Sequence, residues 1–213
     1  MLKRAFMAAT IWLVGTTGAF AAPVDLTILH TNDTHDHLLP YDTSQGKSLG
    51  GIARRAALIK QIKTQTPGTL VLDAGDVFQG TPIFTFYQGE ADYKTMDQAG
   101  YDATTVGNHE LDNGLANLLK QAKGRSFKII NSNMLDHSGK HLFLRKHIFE
   151  RNGLKIGVFG VLGDDAQGAV AKKHQKDYVF VPPLEIAQKL TDKLRKEADL
   201  VVMLSHSGLE EDT

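Results

Sequence analysis

Several short runs in this chain are apolar with almost no polar alternation: Val24–Leu29, Thr69–Leu72, Ala103–Val106, Lys128–Asn131 and Leu200–Leu204. A strand with one wet face alternates, whereas a strand that stays apolar is covered on both faces. The runs therefore predict sheet enclosed between other layers. Helical stretches separate them. Ile52, Ala56, Ile59 and Ile62 recur at helical spacing, with Arg54, Arg55, Lys60 and Lys63 mostly on other faces. Ala187, Leu190 and Leu194 repeat the pattern after Pro182 and Pro183, and Leu115, Leu118 and Leu119 mark a shorter helix. Helices alternating with strands predict an α/β layered domain. Arg151-Asn152-Gly153, between the runs His141–Glu150 and Leu154–Leu162, reads as a hairpin turn, so the sheet is not purely parallel. The polar stretch Tyr41–Leu49 reads as a loop.

With 213 residues, 42% of them hydrophobic, the chain can bury one sizeable core. Its 24 basic residues balance 24 acidic ones, which argues against an electrostatic nucleic-acid binder. Residues 1–21 differ from the rest: Lys3 and Arg4, then an apolar stretch, then Ala19-Phe20-Ala21. This order reads as a secretory signal peptide, predicting a periplasmic or secreted protein that starts at Ala22. A membrane anchor fits less well, because the apolar stretch is short and is broken by Gly15, Thr16, Thr17 and Gly18. No membrane span is expected after cleavage. There is no cysteine, so a metal site would have to use His, Asp, Asn and Glu, a set suited to Mn, Zn, Mg, Fe or Co.

Such residues gather at strand ends. HTNDTHDH puts Asp33 and His35 after the first strand, and LVLDAGDVFQG puts Asp73 and Asp76 after the second. VGNHELDNG puts Asn108, His109, Glu110 and Asp112 after the third, and SHSG puts His206 after the last. Singly, each has an ordinary reading: Asp and Asn beside Gly favour turns, and a lone His after a strand is usually structural. Together they occupy the carboxyl ends of strands, where α/β sheets assemble their sites.

D-x-H in TNDTHDH, GDxxQG in GDVFQG and GNHE in VGNHELD resemble the motifs of the calcineurin-like metallophosphoesterases. TNDTH, Gly50–Arg54, FQGTP and NHELD resemble its 5′-nucleotidase branch, which includes periplasmic UDP-sugar hydrolases and 2′,3′-cyclic phosphodiesterases. The resemblance runs from about Val24 to Thr213. It implies an αββα four-layer sandwich and two divalent metal ions, with a nucleotide or other phosphate ester as substrate. On this likeness Asp33 and His35 hold one metal, Asn108 and His206 the other, and Asp76 bridges them. His109 is the catalytic histidine, oriented by Asp112, and Asn108 and His109 contact the substrate. Asp73, Glu110 and His37 are supporting residues.

Two departures matter. Asp36 stands where the family often has a small residue, and is read as a solvated charge, the alternative being a carboxylate that alters metal choice. The family's Gly-His-x-His motif does not occur, since none of the nine histidines follows a glycine, and the sequence stops seven residues past His206. Residues 22–213 are thus read as part of a catalytic domain whose nucleotide-binding partner domain is absent. The leading reading is an exported phosphohydrolase. The alternatives are a chain that binds metal or phosphate weakly without turnover, and a secreted interaction module that keeps only the fold.

Overall fold

The structure, a computed structural model, describes residues 23–213, so the basic–apolar segment 1–21 lies outside the described residues. In chain order, β1 (Ile28–Thr31) is followed by β2 (Tyr41–Thr43), β3 (Gly46–Leu49), α1 (Ile52–Gln65) and β4 (Leu70–Asp73). Next come α2 (Pro82–Tyr87), α3 (Glu90–Ala99), β5 (Ala103–Thr104), a 3-10 turn at His109–Leu111, α4 (Gly114–Ala122) and β6 (Lys128–Ile129). β7 (Met134–Leu135) precedes β8 (His147–Arg151), β9 (Leu154–Leu162) and α5 (Asp164–Ala169). A 3-10 stretch at Lys172–Asp177, β10 (Val179–Phe180), α6 (Pro183–Leu194), β11 (Leu200–His206) and α7 (Leu209–Asp212) follow.

Two sheets carry the fold. One is parallel, in the order β1-β4-β5-β6. The other runs β11-β9-β8, with β9 and β11 parallel around α6 and β8 antiparallel to β9. Successive side chains of a strand point to opposite faces, and this parity sorts the core into three layers. Leu70, Leu72, Ala103 and Ile130 of the first sheet meet Phe149, Ile156, Val158 and Leu204 of the second. Val71 points the other way, toward Ile59 of α1, Tyr93 and Met96 of α3 and Leu118 of α4. Phe159 and Val161 point away from the first sheet onto Ile186, Leu190 and Leu194 of α6. Leu190 and Leu194 are wholly buried, each contributing about 1.5–3 kcal/mol. The result is the αββα arrangement.

Strand boundaries shift from the sequence reading because pairing, rather than side-chain type, ends a strand. The first strand is Ile28–Thr31, set by its register with Leu70–Asp73, and the last runs on to His206. The hairpin turn is as expected. Arg151 opposes Leu154, and the two loop residues have φ of 51° at Asn152 and 81° at Gly153, the left-handed pair that such a turn requires. Its first arm starts only at His147. Tyr41–Leu49 is not a loop: β2 and β3 pair as an antiparallel ribbon, exposed along most of its length and so without apolar alternation. Among the described residues, no helix is long and apolar enough to cross a membrane.

Candidate metal centre

The β1–β4 ladder does not stop where the strands end. Asp33 N donates to Gly75 O, His35 N to Asp76 O and Asp36 N to Val77 O, at 2.9, 3.1 and 2.8 Å. The two loops are thereby zipped together, and Asp33, His35 and Asp76 all take left-handed backbone (φ 50°, 43° and 55°). The loop after β5 packs against them so closely that a Cβ on Gly75 would lie 2.6 Å from Gly107 N, and one on Gly107 would lie 2.5 Å from Asp76 N. Gly107 has no positive φ, so its glycine answers to close approach rather than to turn geometry.

Asp76 sits at the meeting point. Its Oδ1 accepts from His109 N at 2.8 Å. Its Oδ2 lies 3.3 Å from His206 Nε2 and 4.0 Å from both His35 Nε2 and His109 Nε2. Asn108 Oδ1 is 3.2 Å from the same His206 nitrogen. Two sets of donor atoms, each within 4.8 Å of one another, emerge: His35, Asp76 and His109, and Asp33, Asp76 and His206. Asp76 belongs to both. Asp33 also lies 3.7 Å from His35 Nε2, so it stands between the two sets.

The imidazoles are aimed. His206 Nδ1 donates to Ala74 O at 2.9 Å and His35 Nδ1 to Phe78 O at 3.4 Å, leaving each Nε2 turned to the centre. His109 Nδ1 is held by Asp112 Oδ2 at 2.8 Å, with the same effect. Burial opposes charge on His206, yet the Asp76 hydrogen bond and charge push it up to about 9. Burial likewise pulls His109 down, but Asp112 and Asp76 leave it raised. Asp76, which burial would raise, is held below the usual carboxylate range by His206 and the His109 N–H. These shifts report how strongly the pocket favours positive charge.

The supporting residues separate by role. Asp73 lies beneath the site, taking hydrogen bonds from Thr31, Gly75 and Thr104, while burial pushes its carboxyl up to about 6. Glu110 is fully buried and receives backbone N–H groups from Asp76, Val77, Phe78 and Gly107. His37 turns aside, bonded to Thr34 O, with its ring tilted 53° to that of Tyr41 at a centroid distance of 4.4 Å. Asp36 corrects the sequence reading. It is wholly buried, not solvated, and accepts from Thr81 Oγ1 and from Phe84 N, tying the zipped loop to the start of α2. Asp92 is the member that sequence reasoning missed. Its signal is its place beside Tyr93 in a helix bounded by Gly89 and Gly100, with Met96 and Ala99 on the same buried face.

Asp36, Asp73, Asp76, Asp92 and Glu110 are all buried, and no Lys or Arg is among the buried polar residues described. A cleft of about 770 Å³ opens over Asp33, Asp76, Asn108 and His206, and no Lys or Arg lines it among the described residues. Asp76 is held charged inside this cluster, and a buried carboxylate that stays charged is costly unless something positive joins it. His nitrogens and Asp and Asn oxygens around a shared carboxylate fit borderline or hard divalent ions.

The family described as calcineurin-like phosphoesterase matches residues 26–212. A 5′-nucleotidase of Vibrio cholerae is 37% identical over 194 residues, covering 86% of this chain and 34% of its own length. The crystal structure of a 5′-nucleotidase precursor from Thermus thermophilus superposes with a TM-score of 0.79 at 37% identity, over 88% of this chain and 38% of that one. The Haemophilus influenzae NAD nucleotidase gives 0.79 at 28% identity, over 89% and 39%. The chain spans about a third of the length of the curated relatives it matches. Two facing sheets with the acids and histidines at their carboxyl ends are thus accompanied by a match along nearly all of the described chain, and the chain belongs to the calcineurin-like phosphoesterase family.

Proposed function

We propose that this chain is the metal-binding part of an exported phosphohydrolase of the 5′-nucleotidase type, acting on nucleotide phosphate esters. The observation that carries the reading is the position of Asp76 in both donor sets, with histidines from the loops after β1 and β5 and from the end of β11 converging on it. Asp33, His35, Asp76, Asn108 and His206 would hold two divalent ions, Asp76 between them. When bound, such a pair supplies Lewis acidity and lowers the pKa of a coordinated water. His109 presents Nε2 to the same space, where it can contact a phosphoryl oxygen or deliver a proton to the leaving oxygen. Asp112 fixes its ring and favours its charged form. Export rests on the basic–apolar–Ala-x-Ala order of residues 1–21.

Product release, namely phosphate from AMP, UMP and sugar 1-phosphate from a UDP-sugar, and a nucleoside monophosphate from a 2′,3′-cyclic nucleotide, measured with Mn²⁺ or Zn²⁺ and again after chelation, tests this. Chelator-sensitive release from at least one substrate is expected. Tight Mn²⁺ binding with no release from any would favour the second reading, binding without turnover.

A further inference from the structure

We propose that Glu110 is a positioning residue that sets the Asp76 carboxylate at the centre of the cluster. The proposal rests on reading that cluster as a divalent-cation site. Glu110 Oε1 accepts from Val77 N at 2.7 Å and Phe78 N at 3.2 Å, and Oε2 from Asp76 N at 2.9 Å and Gly107 N at 2.6 Å. Its own segment is held in return, because Asp76 Oδ1 accepts from His109 N at 2.8 Å. Glu110 therefore takes three backbone N–H groups from the loop that carries Asp76, and Asp76 takes one from the segment that carries Glu110. This reciprocal clamp has two effects. It holds Asp76 in its left-handed backbone conformation, which a residue with a Cβ adopts at a cost. It also occupies Asp76 Oδ1 and leaves Oδ2 as the oxygen facing His35, His109 and His206. Both Glu110 oxygens are consumed by donors, so the side chain cannot itself be a ligand without releasing the loops.

A purely structural role would lower stability alone. The positioning role also requires that cation affinity fall in protein that is still folded. Glu110→Gln replaces one acceptor oxygen with an amino group and sets it against two N–H groups. Mn²⁺ affinity, measured by calorimetric titration of the full chain at a temperature where the variant is folded, is expected to weaken about 10–100-fold, the usual effect of losing an outer partner of a ligand. Leu190→Ala, in the distant α6 core, is the control: it lowers stability and is expected to leave Mn²⁺ affinity unchanged. Equal affinity in Glu110→Gln and the parent, or equal weakening in both variants, would overturn the proposal. If Glu110→Gln does not fold, Glu110→Asp keeps the charge but draws the carboxylate back from the N–H groups of Asp76, Val77 and Phe78, and should weaken Mn²⁺ binding similarly. Unchanged affinity there would also overturn it. Failure of the parent to bind Mn²⁺ or Zn²⁺ would remove the cation reading and this proposal together, whereas binding by the parent and variants alike removes the proposal only.

Discussion

Replacing Asp92 with asparagine should change stability in opposite directions at acid and neutral pH. Asp92 is fully buried in the first turn of α3, and neither of its oxygens meets a donor among the described residues. Asp36 Oδ1 lacks one as well, so the donor between the two acids is the proton of a neutral Asp92. Burial, then the charge and hydrogen bond of Asp36, with Glu110 adding to them, push the Asp92 carboxyl up to about 8 from 3.8. The unfolded chain thus releases this proton well before the folded one does. Stability is fully present below about pH 4 and is lost as pH rises toward about 8. At about 1.4 kcal/mol per unit, the loss by pH 7 is roughly 4 kcal/mol. An amide does not ionise, so Asp92→Asn removes that slope. It can still donate one N–H to Asp36, but buries another N–H and a carbonyl without partners, a fixed cost of about 1–3 kcal/mol. The variant should be less stable than the parent near pH 4 and more stable by about 1–3 kcal/mol near pH 7, crossing near pH 5. Urea unfolding across that range, read as midpoint at constant slope, measures the difference. Parallel curves for parent and variant would refute the argument, because they would mean that Asp92 is charged, or wet, in the folded protein.

If the proposed function holds, Asp112→Asn in a version extended to the full length of its relatives should leave Mn²⁺ binding intact while slowing phosphate release roughly 10²–10⁴-fold, since it removes the carboxylate that holds and charges His109 but no donor of either cluster. Metal content and turnover measured on the same preparation check this, and an unchanged rate would take the pair out of the mechanism. N-terminal sequencing of the exported protein should begin at Ala22, and recovery of an intact Met1 terminus from the soluble cytoplasm would count against export.

What the sequence made legible depended on how locally each feature is determined. Leu70–Leu72 and Leu200–Leu204 announce buried strands because burial on both faces is written in consecutive residues. Asp33, His35, Asp76, Asn108 and His206 could be gathered because each follows such a strand, and the structure brings them to one edge. Asp36 was misread because its partners, Thr81 Oγ1, Phe84 N and Asp92, come from remote segments, and two are not recognisable from residue type. Glu110 read only as a supporting residue for a related reason: its four partners are backbone N–H groups, which every residue but proline offers. The β2–β3 ribbon left no trace because an exposed two-stranded ribbon needs no apolar face.

Loops at the ends of a sheet ordinarily open more readily than the strands they join. Here Asp33, His35 and Asp36 are bonded to the loop after β4 as the strands themselves are, so the side of the cleft that Asp33 and Asp76 line opens only with the sheet. The facing wall is built differently. Leu209–Asp212 is a single exposed helical turn, bonded to the rest of the fold mainly through Asp212 to Ser205 and Glu211 to the start of α5. The two sides of the cleft therefore differ in plasticity. At Asp33 and Asp76 the cleft is bounded by backbone bonds that continue the ladder of the sheet, and across from them by a turn held through side-chain bonds.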